Sequence, residues 1–226
     1  MKKRTLSLLS GVFLLALTLF IYVLSAVNPA CASGPSKTPD HVTLTWTQDP
    51  ATTQAITWRT DTSVDQGMAQ VSLNQDDFNL PNPMSARTVN AEAHKLATDR
   101  GDMNIFSATV ADLTPGLTYY YRVGDGQNWS GVSSFTTEKK SGIEEYRFLI
   151  FGDSQSGDPY NPDYGPWKNT LQNAFNANPD VKFFINVGDL VETGQRYDHW
   201  NNWFNAAEGV INRIPAMPVL GNHETY

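Results

Sequence analysis

Apolar and polar residues alternate along the first half of the chain. From about residue 42 to about residue 137, apolar side chains recur at every second position, as in Val42, Leu44 and Trp46. This period of two is typical of β-strands with one buried face. Turn residues, mainly glycine, proline and aspartate, separate the segments. The pattern therefore predicts about seven short strands that pack as a β-sandwich.

The pattern changes after about residue 146. Three short runs are almost wholly apolar, as expected of buried strands: residues 147–151, 181–187 and 217–220. Two segments between them, residues 167–176 and 200–211, repeat their apolar residues with helical spacing. Strands that alternate with helices predict a parallel sheet with helices packed on it.

Together these patterns divide the chain into four predicted segments. Residues 1–32 form a signal peptide or an N-terminal membrane anchor, residues 38–138 the sandwich, residues 139–145 a linker, and residues 146–226 the α/β domain. The linker is short, polar and contains glycine, as expected of a connection between two hydrophobic cores.

The N-terminal segment has the features of an export signal. The basic start Met1–Arg4 precedes an uncharged apolar run over residues 6–27, and residues 30–32 supply the small side chains that a signal peptidase reads. We interpret this as a signal peptide cut before Ser33. Because the apolar run is long enough to span a bilayer, membrane anchoring through residues 6–27 is the alternative. In both cases the rest of the chain is predicted to be secreted or attached to the membrane or cell wall.

Charge narrows the classes of partner. The net charge of the chain is −7 at pH 7, and no run of lysine or arginine follows the N-terminal segment. The charge therefore predicts that the protein does not bind nucleic acid, and it disfavours binding to anionic membrane surfaces. An acidic protein that handles an anionic substrate needs a local cation.

Each of the three apolar runs in the second half ends in a polar cluster. Asp153 and Asp189 each follow a glycine after a predicted strand, and Asn222 and His223 follow the third strand in the same way. Ligands of open parallel sheets bind beyond the carboxyl ends of the strands, so these residues are predicted to meet in one crevice. Carboxylates, amide oxygens and imidazole are suitable ligands for divalent or trivalent metals, which can supply the missing positive charge.

The three clusters resemble the first three sequence blocks of the calcineurin-like metallophosphoesterases. These blocks are Phe151–Gln155, Gly188–Gly194 and Gly221–Glu224. The preceding sandwich is similar to the N-terminal domain of purple acid phosphatases, and its turn at Leu113–Val123 resembles a fibronectin type III turn with Tyr119 as the corner tyrosine. The resemblance implies a fibronectin type III-like β-sandwich followed by a partial α/β metallophosphoesterase domain.

The resemblance also implies a role for each polar residue. Asp153 would bind one metal ion, Asp189 would bridge two, and Asn222 would bind the second. His223 would be the catalytic residue that stabilises the phosphoryl oxygens or protonates the leaving group. Two metal ions, from among Fe, Mn, Zn and Mg, would provide a metal-bound hydroxide that attacks a small phosphorylated substrate. Acid phosphatase-like hydrolysis of phosphate monoesters is the expected activity.

Two positions depart from the family pattern. Purple acid phosphatases carry a metal-binding tyrosinate three residues after the bridging aspartate, whereas this sequence has Glu192. Other branches of the superfamily have a histidine two residues after the first aspartate, where this sequence has Gln155. Either the first metal is held more weakly by this half of the domain, or Gln155 contacts it directly.

The family completes its metal sites with histidines from later sequence blocks. The remaining histidines here, His41, His94 and His199, lie in other contexts and are interpreted as surface or structural residues. We therefore expect the metallophosphoesterase domain to be C-terminally incomplete and the chain as given to be poorly active.

Two alternatives stay open at this level. The chain could be an exported non-enzymatic protein whose sandwich binds polysaccharide or protein, with Trp129 stacking on sugars, although the same ring could simply pack at a loop. It could also be a phosphoesterase that folds and binds metal without turnover. The substrate, the metal pair and the oligomeric state are not determined by the sequence.

Overall fold

A computed structural model describes residues 34–79, 85–142 and 145–225. The predicted signal peptide or anchor lies outside these residues. Within them, no helix is long and apolar enough to cross a membrane.

Among the described residues, the first half of the chain forms two antiparallel sheets of four strands each. The strands of the first sheet are β1 (Asp40–Thr45), β2 (Gln54–Thr60), β5 (Glu92–Thr98) and β6 (Gly101–Val110). Those of the second are β3 (Met68–Ser72), β4 (Arg87–Asn90), β7 (Thr118–Gly124) and β8 (Ser133–Thr136), with a 3₁₀ helix at Gln75–Asn79. The strand orders are β1-β2-β6-β5 and β4-β3-β7-β8. The predicted sandwich is confirmed, with one strand more than expected.

The alternation seen in the sequence buries one face of each sheet. Leu44, Ile56 and Phe106 from the first sheet and Val123 from the second are wholly buried in a shared core. Trp58 stacks on Phe106 with ring centroids 5.6 Å apart. Burial of each such side chain contributes about 1.5–3 kcal/mol, so this core can hold the sandwich together without a disulfide.

The predicted tyrosine corner is confirmed. The hydroxyl of Tyr119 accepts a hydrogen bond of 2.9 Å from the backbone N–H of Thr114. Its ring stacks on Phe135 inside the sandwich core. The turn between Thr114 and Tyr119 contains Gly116, whose φ of 74° lies in the left-handed region that favours glycine.

The second half of the chain forms a three-stranded parallel sheet with two helices. The strands are β9 (Leu149–Phe151), β10 (Phe184–Asn186) and β11 (Ala216–Pro218), and the helices are α1 (Gly165–Ala177) and α2 (Tyr197–Ala207). The order is β11-β10-β9, so β10 lies in the middle. The predicted parallel sheet is confirmed. Helix α2 ends before the predicted residue 211, because Glu208 has a non-helical ψ of 142° and Gly209 a left-handed φ of 87°, which together turn the chain away.

Both helices pack on one face of this sheet. Trp167 of α1 stacks on Trp203 of α2 at 5.7 Å, and both rings lie in a core that includes Leu171 and Phe184. The apolar residues whose spacing predicted the two helices are therefore the residues that pack on the sheet. The two helices cover the face of the sheet and not the carboxyl ends of its strands. The polar clusters lie at those ends.

A buried arginine joins the sandwich to the α/β domain. Arg59 on β2 is 3% exposed and forms a bidentate ion pair with Asp40 on β1. Its guanidinium also donates hydrogen bonds to the Tyr197 hydroxyl (2.9 Å) and to Asn201 Oδ1 (3.0 Å), both on α2. The two domains thus share a polar interface in which the guanidinium of Arg59 binds three side chains.

His41 lies beside this interface. Its ring stacks on Phe204 of α2 at 4.7 Å, and its backbone has a left-handed φ of 51°. Burial, together with the nearby charge of Arg59, lowers the pKa of His41 to about 4.

We expect the protein to lose stability below about pH 6.5 because of His41. The unfolded chain takes up a proton on this imidazole at its usual pKa of about 6.5, whereas the folded chain resists protonation until about pH 4. The contribution of neutral His41 to the free energy of unfolding is therefore complete above pH 6.5. It falls by about 2–3 kcal/mol by pH 4.5. Urea unfolding at these two pH values should show this loss, and His41→Asn, which tolerates the left-handed backbone, should reduce it. An identical pH dependence in the variant would contradict the assignment.

Candidate metal centre

The predicted site residues follow three neighbouring parallel strands. Asp153 comes after β9, Asp189 after β10, and Asn222 and His223 after β11. Because β10 pairs in parallel with both of its neighbours, the three loops leave the sheet at the same edge.

Backbone hydrogen bonds join the first two loops. The N–H of Asp153 donates to the carbonyl of Gly188 (3.2 Å), and the N–H of Gln155 donates to the carbonyl of Asp189 (3.2 Å). The loop after β9 therefore lies directly along the loop after β10, which brings the two aspartates onto adjacent stretches of chain.

Both aspartates adopt a backbone conformation that is uncommon for residues other than glycine. Asp153 has a φ of 52° and Asp189 a φ of 51°, both in the left-handed region. Such conformations persist where the surrounding structure holds them, and they concentrate at functional sites.

The third loop lies against Asp189. The backbone N–H of His223 donates to Asp189 Oδ1 at 3.0 Å. A Cβ atom at Gly221 would lie 2.1 Å from the same Oδ1, so only glycine fits at this position. The structure therefore brings together Asp189 and the loop that carries Asn222 and His223.

The carboxylate of Glu224 adds a connection that the sequence did not reveal. It accepts hydrogen bonds from the backbone N–H groups of Asp189 (3.0 Å), Val191 (3.0 Å) and Gly221 (2.7 Å). The only available signal was an acidic residue directly after His223 in the third block, which does not indicate what it contacts.

Glu192, at the position of the family's tyrosinate, lies beside His223. His223 Nδ1 is 2.8 Å from the backbone carbonyl oxygen of Glu192 and 3.9 Å from its carboxylate. Because a carbonyl only accepts, Nδ1 carries a proton in this contact. This hydrogen bond raises the pKa of His223, as do the charges of Glu192, Asp189 and Glu224, while burial opposes them.

The donor atoms at this edge are mainly oxygens. Gln155 Oε1 is buried and has no hydrogen-bond partner among the described residues, which leaves an acceptor that a cation would satisfy. Across the described ranges, no three histidine, cysteine, aspartate or glutamate side chains are grouped closely enough to hold a metal ion. The candidate ligands are the carboxylates of Asp153 and Asp189 and the side-chain amide oxygens of Gln155 and Asn222, a chemistry that fits hard divalent cations.

The other histidines lie elsewhere, in agreement with their interpretation as surface or structural residues. His199 is wholly buried, with Nδ1 3.3 Å from the Tyr164 hydroxyl and Nε2 3.3 Å from the Pro159 carbonyl. His94 is exposed on β5. Neither contributes to the cluster at the edge of the parallel sheet.

Two other features were candidates for function. Trp129 lies over the guanidinium of Arg122 at 4.2 Å, so its ring is engaged within the sandwich. An apolar cavity of about 670 Å³ lies between the first sheet and α2. Leu190, Gly194 and Leu220, from the loops after β10 and β11, contribute to its lining, whereas none of the predicted site residues does.

Comparison with known protein families agrees with this architecture. Residues 39–137 match the model of the purple acid phosphatase N-terminal domain, and residues 146–226 match that of the calcineurin-like phosphoesterases. By these matches the chain carries a purple acid phosphatase N-terminal domain over residues 39–137, followed by a calcineurin-like phosphoesterase domain over residues 146–226.

Individual relatives are similar at a modest level. Acid phosphatase type 7 of Mus musculus is 28% identical over 194 residues, covering 84% of this chain and 41% of the relative. Probable inactive purple acid phosphatase 9 of Arabidopsis thaliana is 29% identical over 128 residues, covering 53% of this chain and 20% of the relative. A purple acid phosphatase from yellow lupin (Lupinus luteus) seeds shares the fold with a TM-score of 0.67 at 18% identity, covering 83% of this chain and 36% of that one. The chain thus spans less than half the length of these relatives.

Proposed function

We propose that the protein is an exported, metal-dependent phosphoester hydrolase that acts on phosphate monoesters. The observation that carries the proposal is the meeting of three polar clusters at one edge of a parallel sheet, joined by backbone hydrogen bonds, in a chain of the purple acid phosphatase family. Export is inferred from the charge and hydrophobicity of residues 1–32.

Asp153, Asp189 and Asn222 are the residues proposed to hold two metal ions. Asp189 would contribute to both ions, because a carboxylate offers two oxygens. Gln155 is a further candidate for the first ion, since its buried Oε1 has no partner among the described residues. When bound, two such ions supply Lewis acidity and a nucleophile at neutral pH, and the choice among Fe, Mn, Zn and Mg is left to experiment.

His223 is proposed to act on the substrate. Two contacts position it: its backbone N–H binds Asp189 Oδ1, and its ring Nδ1 binds the carbonyl of Glu192. It is the imidazole of this cluster, and it would stabilise charge on the phosphoryl oxygens or donate a proton to the leaving group.

The charge of the chain supports a role for metal. A protein of net charge −7 repels a phosphate ester, and the cluster itself contains Asp153, Asp189, Glu192 and Glu224. Cations bound at such a cluster invert the local potential and make the edge of the sheet attractive to phosphate.

Removal of metal should abolish hydrolysis of an aryl phosphate monoester by the natural full-length product. The acidic cluster alone offers no positive charge for the phosphoryl group, so activity should return only when Fe, Mn²⁺, Zn²⁺ or Mg²⁺ is added back. A colorimetric assay before and after chelation measures this, with an aryl phosphodiester as the matched second substrate. Hydrolysis that persists in chelator would contradict the proposal. Metal binding without hydrolysis would identify a phosphoesterase that lacks turnover, as the name of the Arabidopsis relative suggests for that protein.

A further inference from the structure

The Glu224 carboxylate connects the backbones of two different loops. Its Oε1 accepts the N–H of Val191 at 3.0 Å, and its Oε2 accepts the N–H groups of Asp189 at 3.0 Å and Gly221 at 2.7 Å. Asp189 and Val191 belong to the loop after β10, whereas Gly221 belongs to the loop after β11. Hydrogen bonds from amides to a charged acceptor are stronger than those between neutral groups.

These contacts surround the proposed ligands. One of the three amides belongs to Asp189 itself, another lies two residues later, and the third immediately precedes Asn222. The Glu224 side chain therefore binds the backbone at Asp189 and directly before Asn222, and none of these bonds involves the side-chain oxygens of the two ligands.

The backbone of Glu224 is held in place as well. The N–H of Gly194 donates to the carbonyl of the neighbouring His223 at 2.9 Å. A Cβ atom at Gly194 would lie 2.6 Å from Glu224 Cα, so the two segments approach as closely as glycine permits. The carboxylate thus extends from a fixed point on the chain.

We propose that Glu224 is a positioning residue that holds Asp189 and Asn222 in their metal-binding arrangement before metal arrives. The inference rests on the proposed function. The left-handed backbone of Asp189 is an unfavourable conformation, and the Glu224 contacts on both sides of it keep it from relaxing. Ligands that are already arranged lose less conformational freedom on binding, which strengthens metal binding.

A carboxylate so engaged acts through its neighbours rather than as a ligand. Three amide protons occupy its two oxygens, and withdrawing it toward a metal would leave those amides without their acceptor. Glu224 therefore differs in role from Asp153 and Asp189, although all three are acids at the same edge of the sheet.

The test uses Glu224→Gln in the natural full-length product, with exposed Glu208→Gln at the end of α2 as the matched control. Glutamine keeps the shape but has only one acceptor oxygen. In metal-free protein, hydrogen exchange at the amides of Asp189, Val191 and Gly221 should accelerate while exchange in the strands stays unchanged. The affinity for Mn²⁺ should fall about tenfold, the size of effect known for residues that orient metal ligands, and excess Mn²⁺ should restore kcat.

Unchanged Mn²⁺ affinity in Glu224→Gln, or faster exchange spread over the whole sheet, would overturn the inference, because either outcome indicates general support of the fold. Glu224→Asp keeps the charge on a shorter side chain and should lower the affinity for Mn²⁺ by less than Glu224→Gln does. This variant tests the inference if the glutamine variant does not fold. Failure of the wild-type protein to bind any of Fe, Mn²⁺, Zn²⁺ and Mg²⁺ would overturn the proposed function instead. The exchange measurement in metal-free protein would still report whether Glu224 holds the loops.

Discussion

Replacing Asp189 by asparagine should lower kcat for phosphate monoester hydrolysis at least about 100-fold in the natural full-length product. Asparagine keeps the oxygen that accepts the His223 N–H, so the loops stay together. It removes the negative charge with which this residue would bridge two cations. The loss should therefore come from metal binding and not from unfolding.

The control for this variant is Asp65→Asn, a change of the same chemistry at an exposed position in the sandwich. It should leave both activity and metal affinity unchanged. Thermal unfolding of metal-free Asp189→Asn should occur at the same temperature as wild type or higher, because one of several neighbouring negative charges is gone. Retained hydrolysis, or a lowered unfolding temperature that accounts for the loss of activity, would contradict the role assigned to Asp189.

Replacing Asp40 by alanine should destabilise the protein by about 3 kcal/mol. Asp40 is the anionic partner of Arg59, whose side chain is 3% exposed at the junction of the sandwich and α2. Without it, the guanidinium keeps the neutral oxygens of Tyr197 and Asn201 but loses the carboxylate that balances its buried charge. Urea unfolding measures the change in the free energy of unfolding.

Asp102→Ala provides the comparison for Asp40→Ala. Asp102 also pairs with a cation, Lys95, at 2.6 Å, but the two side chains are 44% and 64% exposed. Water screens such a pair, so its loss should change stability by less than about 1 kcal/mol. Similar effects of the two substitutions would show that burial of Arg59 does not determine the strength of its ion pair.

The type of fold could be predicted because it is encoded in local periodicity. The alternation around Leu44 and Ile56 reports which side of a strand is buried, and both side chains lie in the sandwich core. The apolar spacing around Trp167 reports the buried side of α1 in the same way. Tyr119 could be placed because the residue that binds its hydroxyl is only five positions away.

The candidate site was predictable only in part. Its position at one edge of a parallel sheet follows from the order of strands and polar clusters, and the structure brings those loops together. The exact end of α2 was missed, since the left-handed turn at Gly209 overrides the apolar spacing that continues to Ile211. The metal-binding roles of Asp153, Asp189 and Asn222 stay predictions.

The sequence by itself determined the two fold types, the order of the elements and the polar residues at the ends of the strands, because each depends on neighbours a few positions apart. Only the tertiary structure decided how Glu224 bonds to Val191, 33 positions earlier, and how Arg59 bonds to Asn201, 142 positions later. Such contacts form when the packing of whole elements brings distant segments together and excludes water from between them. The sequence around a glutamate that follows a histidine, or around an arginine in a strand, does not indicate which distant residue it contacts.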